Sequence, residues 1–112
     1  MKYKALLIIS ILFLLSACSK PIDESKVDYV GAWNGPEMTL TISQNGNIKY
    51  KRVKGKVSTS LDAPLQEFTN DGFIVGIAFF TTTFIVSEKP HRVDGQWQMM
   101  VDDVLLTRKA DW

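Results

Sequence analysis

An all-β fold, a small antiparallel meander of eight or nine short strands behind one N-terminal helical segment, is what this sequence predicts. Turn-forming residues punctuate the chain at intervals of about 8–12 residues: Gly31, Gly35-Pro36, Asn45-Gly46, Gly55, Asp62-Ala63-Pro64, Asn70-Asp71-Gly72, Pro90, Asp94-Gly95 and Asp102-Asp103. The runs between them are rich in β-branched and aromatic residues, the composition of strands. No stretch after the N-terminal apolar run carries an apolar stripe of helical period. Closing such a meander into a barrel removes the exposed edges that invite aggregation, which favours a barrel over the competing two-sheet sandwich.

At the N-terminus Lys2 and Lys4 form a positive head, and Ala5 to Leu15 follows without a charge. At about 1.5 Å per helical residue that run covers only about half of a ~30 Å hydrocarbon core, so it is short for a spanning helix. A charged head, a short apolar run and small residues at its end are the parts of an export signal. The run closes on Leu15-Ser16-Ala17, directly before Cys18, the single cysteine of the chain.

Leu15-Ser16-Ala17-Cys18 resembles a bacterial lipobox. The resemblance implies that residues 1–17 are a lipoprotein signal peptide, recognised through Leu15, Ser16 and Ala17, and that Cys18 becomes an acylated N-terminus inserted in a membrane. In lipoproteins of this kind an Asp after the cysteine favours the inner membrane. Ser19 stands there, which implies the periplasmic face of the outer membrane. The chain has 13 basic and 12 acidic residues, and loss of Lys2 and Lys4 leaves 11 against 12, a net charge of −1. A nearly neutral exported domain is no partner for nucleic acid. One cysteine forms no internal disulfide.

Residues 18–26, polar and charged around Pro21, read as the lipidated cysteine and a flexible tether, since they cannot bury enough surface to offset their ordering entropy. Residues 27–112 read as one domain, undivided by linker or repeat. Its first strand is Tyr29 to Trp33. Met38, Leu40 and Ile42 then alternate with Thr39, Thr41 and Ser43, the period of a half-buried strand. Asn45-Gly46 offers the positive φ values of a type I′ turn. The return strand sets Ile48 and Tyr50 against Lys49 and Lys51. Lys56 to Ser60 and Leu65 to Phe68 follow as two short strands. Phe73 to Phe80 is apolar on both faces, Phe73, Val75, Ile77 and Phe79 on one and Ile74, Gly76, Ala78 and Phe80 on the other, as a centrally placed strand is. Gly76 suits a bend or a close backbone approach. Thr81 to Val86 returns, and Gln96 to Val101 pairs with Val104 to Arg108 across Asp102-Asp103.

Gly31-Ala32-Trp33 in the first strand and Arg108 in the last resemble the ends of a lipocalin-type barrel. That likeness implies that Trp33 closes the barrel floor and Arg108 stacks across it in a cation–π contact.

Candidate sites are few. His91, the one histidine, excludes multi-histidine metal centres and weighs against a Ser-His-Asp arrangement. Its neighbour Pro90 predicts a loop. Asp102, Asp103 and Asp94 match no calcium-loop spacing and read as turn residues. No nucleophile, base and orienting group can be assembled, so neither catalysis nor a cofactor is expected. Lys49, Lys51, Arg52, Lys54 and Lys56 are the one local charge excess. They suit contact with anionic lipid head groups, peptidoglycan or an envelope protein, and equally a solvated strand face. Trp33, Trp97, Tyr50 and the phenylalanines beyond Cys18 read as core filling, with a pocket for a small apolar ligand or lipid as the alternative. The expected function is therefore a non-catalytic binding or scaffolding module of the envelope, and the alternative is a carrier.

Overall fold

A computed structural model describes residues 20–110 of the chain. Eight strands are present: β1 (Gly31–Gly35), β2 (Met38–Ile42), β3 (Asn47–Lys54), β4 (Val57–Phe68), β5 (Gly72–Ile77), β6 (Phe80–Val93), β7 (Gln96–Val101) and β8 (Val104–Arg108). Each pairs antiparallel with its successor, and β1 pairs with β8 through Trp33 opposite Arg108 and Asn34 opposite Thr107. The result is a closed up-and-down barrel, compatible with a lipocalin-like barrel, with no sandwich edge left open. A six-residue 3-10 helix, Glu24–Tyr29, leads into β1.

Two predicted boundaries give way for one physical reason. Lys56 to Ser60 and Leu65 to Phe68 belong to a single strand, β4, because Asp62-Ala63-Pro64 does not turn. Pro64 lies opposite Asn47 at the end of the β3 ladder, and the next amide, Leu65, donates to the Gly46 carbonyl at 2.8 Å. Beyond that point β4 changes partner from β3 to β5, with a bulge between Leu65 and Glu67. The proline thus sits where a strand switches neighbours and no ladder donor is needed. Pro90 behaves alike: it falls in the register irregularity between Glu88 and His91 of β6. The loop expected at His91 is therefore strand, with His91 opposite Gln98.

Part of the segment expected as a tether packs against the barrel. Ile22 is buried in the core, and its amide donates to the Gln44 carbonyl at 2.8 Å. Asp23 caps the 3-10 helix by accepting from the Ser25 hydroxyl at 2.6 Å and the Ser25 amide at 3.1 Å. Those two bonds, the hydroxyl's first, hold the Asp23 carboxyl below its ordinary pKa.

The turns follow residue chemistry with two exceptions. Asp94-Gly95 and Asp102-Asp103 both take positive φ at each central residue, the type I′ signature. At Asn45-Gly46 only Gly46 does, so the predicted two-residue turn is a three-residue loop, Gln44 to Gly46, with Gly46 at the left-handed position. The exceptions are Ala78 (φ 55) and Glu37 (φ 61), which occupy turn positions that favour glycine. Glu37 follows Pro36 between the paired residues Gly35 and Met38, the third position of a type II turn. The left-handed region costs a non-glycine residue about 1–2 kcal/mol, and glycine's greater unfolded freedom takes back roughly 0.5–1. Glu37→Gly is accordingly expected to stabilise the fold by about 0.5–1 kcal/mol, seen as a higher urea midpoint at unchanged slope. A midpoint that stays or falls would show that the turn carries no such strain.

Inside the barrel, Trp33, Met38, Leu40, Ile42, Ile48, Phe73, Val75, Phe84, Met99, Val101 and Leu106 are all under 2% exposed. The alternations Met38–Leu40–Ile42 and Ile48–Tyr50 point inward as predicted, with Lys49 and Lys51 outside. Rings run through the core from Tyr29 to Phe68 (5.0 Å between centroids), Phe73 (6.0 Å), Phe84 (5.1 Å, stacked) and Tyr50 (5.0 Å). Burial raises the Tyr29 hydroxyl pKa above its usual value. Not every expected core residue takes part. Phe79 is 85% exposed, Phe80 78% and Ile77 66%, because β5 ends at Ile77 and the chain turns at Ala78-Phe79 before the apolar run is over.

Candidate functional site

Three surface features have the residue types that recognition needs, and they lie on different parts of the barrel. The first is the end closed by β1 and β8. Trp33 and Arg108 are cross-strand partners, and the Arg108 guanidinium carbon stands 5.7 Å from the Trp33 ring centre and 4.8 Å from that of Trp97. One cation therefore lies against two indoles, and its Nη1 also donates to the Val30 carbonyl at 3.3 Å. The Trp33 indole N–H donates to the Tyr29 carbonyl at 2.9 Å, so the ring is fixed from both sides. Gly31 makes this possible. Its φ is 152°, and a Cβ there would run into Cδ and Cγ of Arg108. The glycine of Gly-x-Trp is thus the space through which the arginine passes. Trp97, on β7, is the member that sequence reasoning did not join to the pair. Beside it a hollow of about 290 Å³ is edged by Arg92, Arg108 and Lys109.

The basic run divides by strand parity. Lys49 and Lys51 point outward on β3, while Arg52 follows the inward phase and is half-buried, its Nε enclosed without a hydrogen-bond partner. Lys54 and Lys56 flank the turn at Gly55. These five residues form no single cationic face. A hollow of about 210 Å³ beside Lys51 is lined by Met38, Thr39 and Val53.

The third feature is the β5–β6 tip. Ile77, Phe79 and Phe80 project from it, the two phenylalanine rings 5.0 Å apart and tilted against each other. The Ala78 carbonyl accepts from the Gln66 side-chain amide at 2.7 Å, which fastens the turn to β4. A hollow of about 250 Å³ at its base is shared by Lys20, Pro64, Leu65, Ile77 and Ala78.

The remaining candidates resolve into framework. The Asp102 carboxylate accepts from the Ile85 amide at 2.9 Å and its own amide donates back to the Ile85 carbonyl at 2.8 Å. Asp94 and Asp103 complete the two type I′ turns. His91 is exposed, its Nδ1 2.7 Å from the Lys89 carbonyl. Among the described residues no three His, Cys, Asp or Glu side chains come together as metal ligands would. Leu15, Ser16, Ala17 and Cys18 lie outside the described residues.

Comparison with protein-family models, with curated proteins and with solved structures finds no match to this chain.

Proposed function

We propose that this protein is a lipid-anchored lipoprotein of the bacterial envelope, tethered through acyl chains on Cys18, with a non-catalytic barrel that works through its outer surface as a binding or scaffolding module. The observation that carries this reading over the carrier alternative is the filled interior. Eleven bulky side chains under 2% exposed occupy it, as expected of an eight-stranded barrel whose lumen is just wide enough for side chains. Of these eleven side chains only Met38 borders one of the three surface hollows. A barrel packed in this way offers ligands its outside. The lipobox, and the Ser19 that follows the cysteine, support the periplasmic face of the outer membrane.

Two measurements on the full chain expressed in a bacterium test the reading. The Cys18→Ser variant is expected to stay unprocessed and to take up no labelled palmitate. Normal maturation of that variant would end the lipoprotein reading. Organic extraction of the purified wild-type protein is expected to release nothing beyond the acyl groups of its own anchor. A stoichiometric apolar molecule in that extract would promote the carrier.

A further inference from the structure

The exposed tip Ile77-Ala78-Phe79-Phe80 is the largest break with the barrel's own logic, since three bulky apolar side chains stand in water at the end of the most apolar strand pair. We propose that this tip inserts into the interfacial layer of the same bilayer that holds the acylated Cys18, so that the barrel is seated on the membrane at two points. The inference deepens the lipid-anchor reading and rests on it.

Position is the first argument. Lys20 shares the hollow at the base of the tip with Ile77 and Ala78. Cys18 is two residues earlier, at most about 7 Å of extended chain. The acyl chains would therefore leave the protein beside the aromatic knob and not across the barrel from it. A bilayer brought to that point meets Phe79 and Phe80.

Chemistry is the second. Residues 72–83 carry no charged side chain, so lowering the tip below the head groups strips water from no ion. The backbone of the turn is partly satisfied from within, the Ala78 carbonyl by Gln66. Thr81, Thr82 and Thr83 follow the phenylalanines and place hydroxyls at head-group depth. Lys20 adds a cation at the rim, where its stem can lie along apolar surface and its ammonium reach lipid phosphate. Two phenylalanine rings in contact are a compact apolar wedge, of the kind amphipathic surface segments sink about 5–10 Å into a membrane.

The test places an environment-sensitive thiol probe beside the wedge. Thr81→Cys keeps both phenylalanines, and Asp94→Cys, in the turn that follows the far end of the 14-residue strand β6, serves as the reference position. Each full-length variant is expressed in a bacterium, labelled, and reconstituted in vesicles of phosphatidylethanolamine and phosphatidylglycerol containing an acyl-chain quencher lipid. The expected result is blue-shifted emission and at least threefold stronger quenching at 81 than at 94, falling to the level at 94 when Phe79→Ser and Phe80→Ser are added. Both serines replace exposed side chains, so an unchanged circular dichroism spectrum is expected alongside. Equal, weak quenching at the two positions overturns the proposal. So does a probe at 81 that is wet in vesicles yet shielded from a water-soluble quencher in native envelope fragments, which would assign the tip to a protein partner. The wild-type chain labelled in parallel reports on the anchor separately. Dye uptake there means that Cys18 keeps a free thiol and the anchor reading has failed. The tip is then read on Thr81→Cys in a Cys18→Ser background, where strong quenching at 81 supports insertion and weak quenching overturns it.

Discussion

Trp33→Ala is expected to destabilise the barrel by about 3–5 kcal/mol, the range for removing a large aromatic from a closed core. Domains of this size have roughly 5–10 kcal/mol in total, so much of the stability would go. Three losses coincide. The indole is fully buried, and its removal leaves a cavity at the point where β1 meets β8 through only two residue pairs. The Tyr29 carbonyl loses the N–H that it accepts at 2.9 Å. Arg108 loses one of the two rings that hold its guanidinium. Trp33→Phe separates these losses: it keeps a ring under the cation and gives up the hydrogen bond and part of the volume, for an expected cost of about 1.5–2.5 kcal/mol. Urea unfolding followed by far-ultraviolet circular dichroism, which does not depend on the tryptophan signal, reads both. Equal midpoints for the alanine variant and the wild type would mean that the barrel closes without this floor.

Legibility of the fold in the sequence follows the strength of local signals. Met38 to Val53 is readable almost completely, because strict alternation on two strands fixes the buried face, and only the turn between them departs from expectation. Asp102-Asp103 and Asp94-Gly95 are legible for a like reason: residues that accept positive φ stand between β-formers. Pro64 and Pro90 mislead because proline marks either a turn or a place where a strand changes partner, and only the register decides between them. The tip is hidden by the opposite fault. Ala78 and Phe79 carry no turn signal, and Ala78 is held at a φ of 55° that its side chain does not invite. An apolar run therefore looks like a longer buried strand. Of the candidate site, the Gly31, Trp33 and Arg108 grouping is legible through resemblance, while Trp97 lies outside that resemblance and reaches the arginine through the β7–β8 hairpin, whose register sets Gln98 opposite Thr107.

Gly76→Ala is the second substitution with a large expected effect, about 3 kcal/mol, and it isolates what the β5–β6 hairpin requires of its backbone. Gly76 lies opposite Thr81 with φ at 141°, a region that costs a side-chain-bearing residue about 1–3 kcal/mol. A Cβ there would also collide with the Phe80 carbonyl oxygen and stand 2.9 Å from the Thr81 Cα. Both obstacles are backbone, so neither can rotate aside. The strands must separate, and with them goes the ladder that carries Ile77, Phe79 and Phe80. Gly55→Ala is the matched reference: its φ is also positive, at 61°, but nothing lies within 4 Å of the added Cβ, so about 1–2 kcal/mol of backbone cost is expected alone. Amide hydrogen exchange at residues 77–83 should accelerate in the Gly76 variant and stay unchanged in the Gly55 variant. Equal urea midpoints for the two variants would show that backbone crowding at the tip contributes nothing beyond the cost of a positive φ.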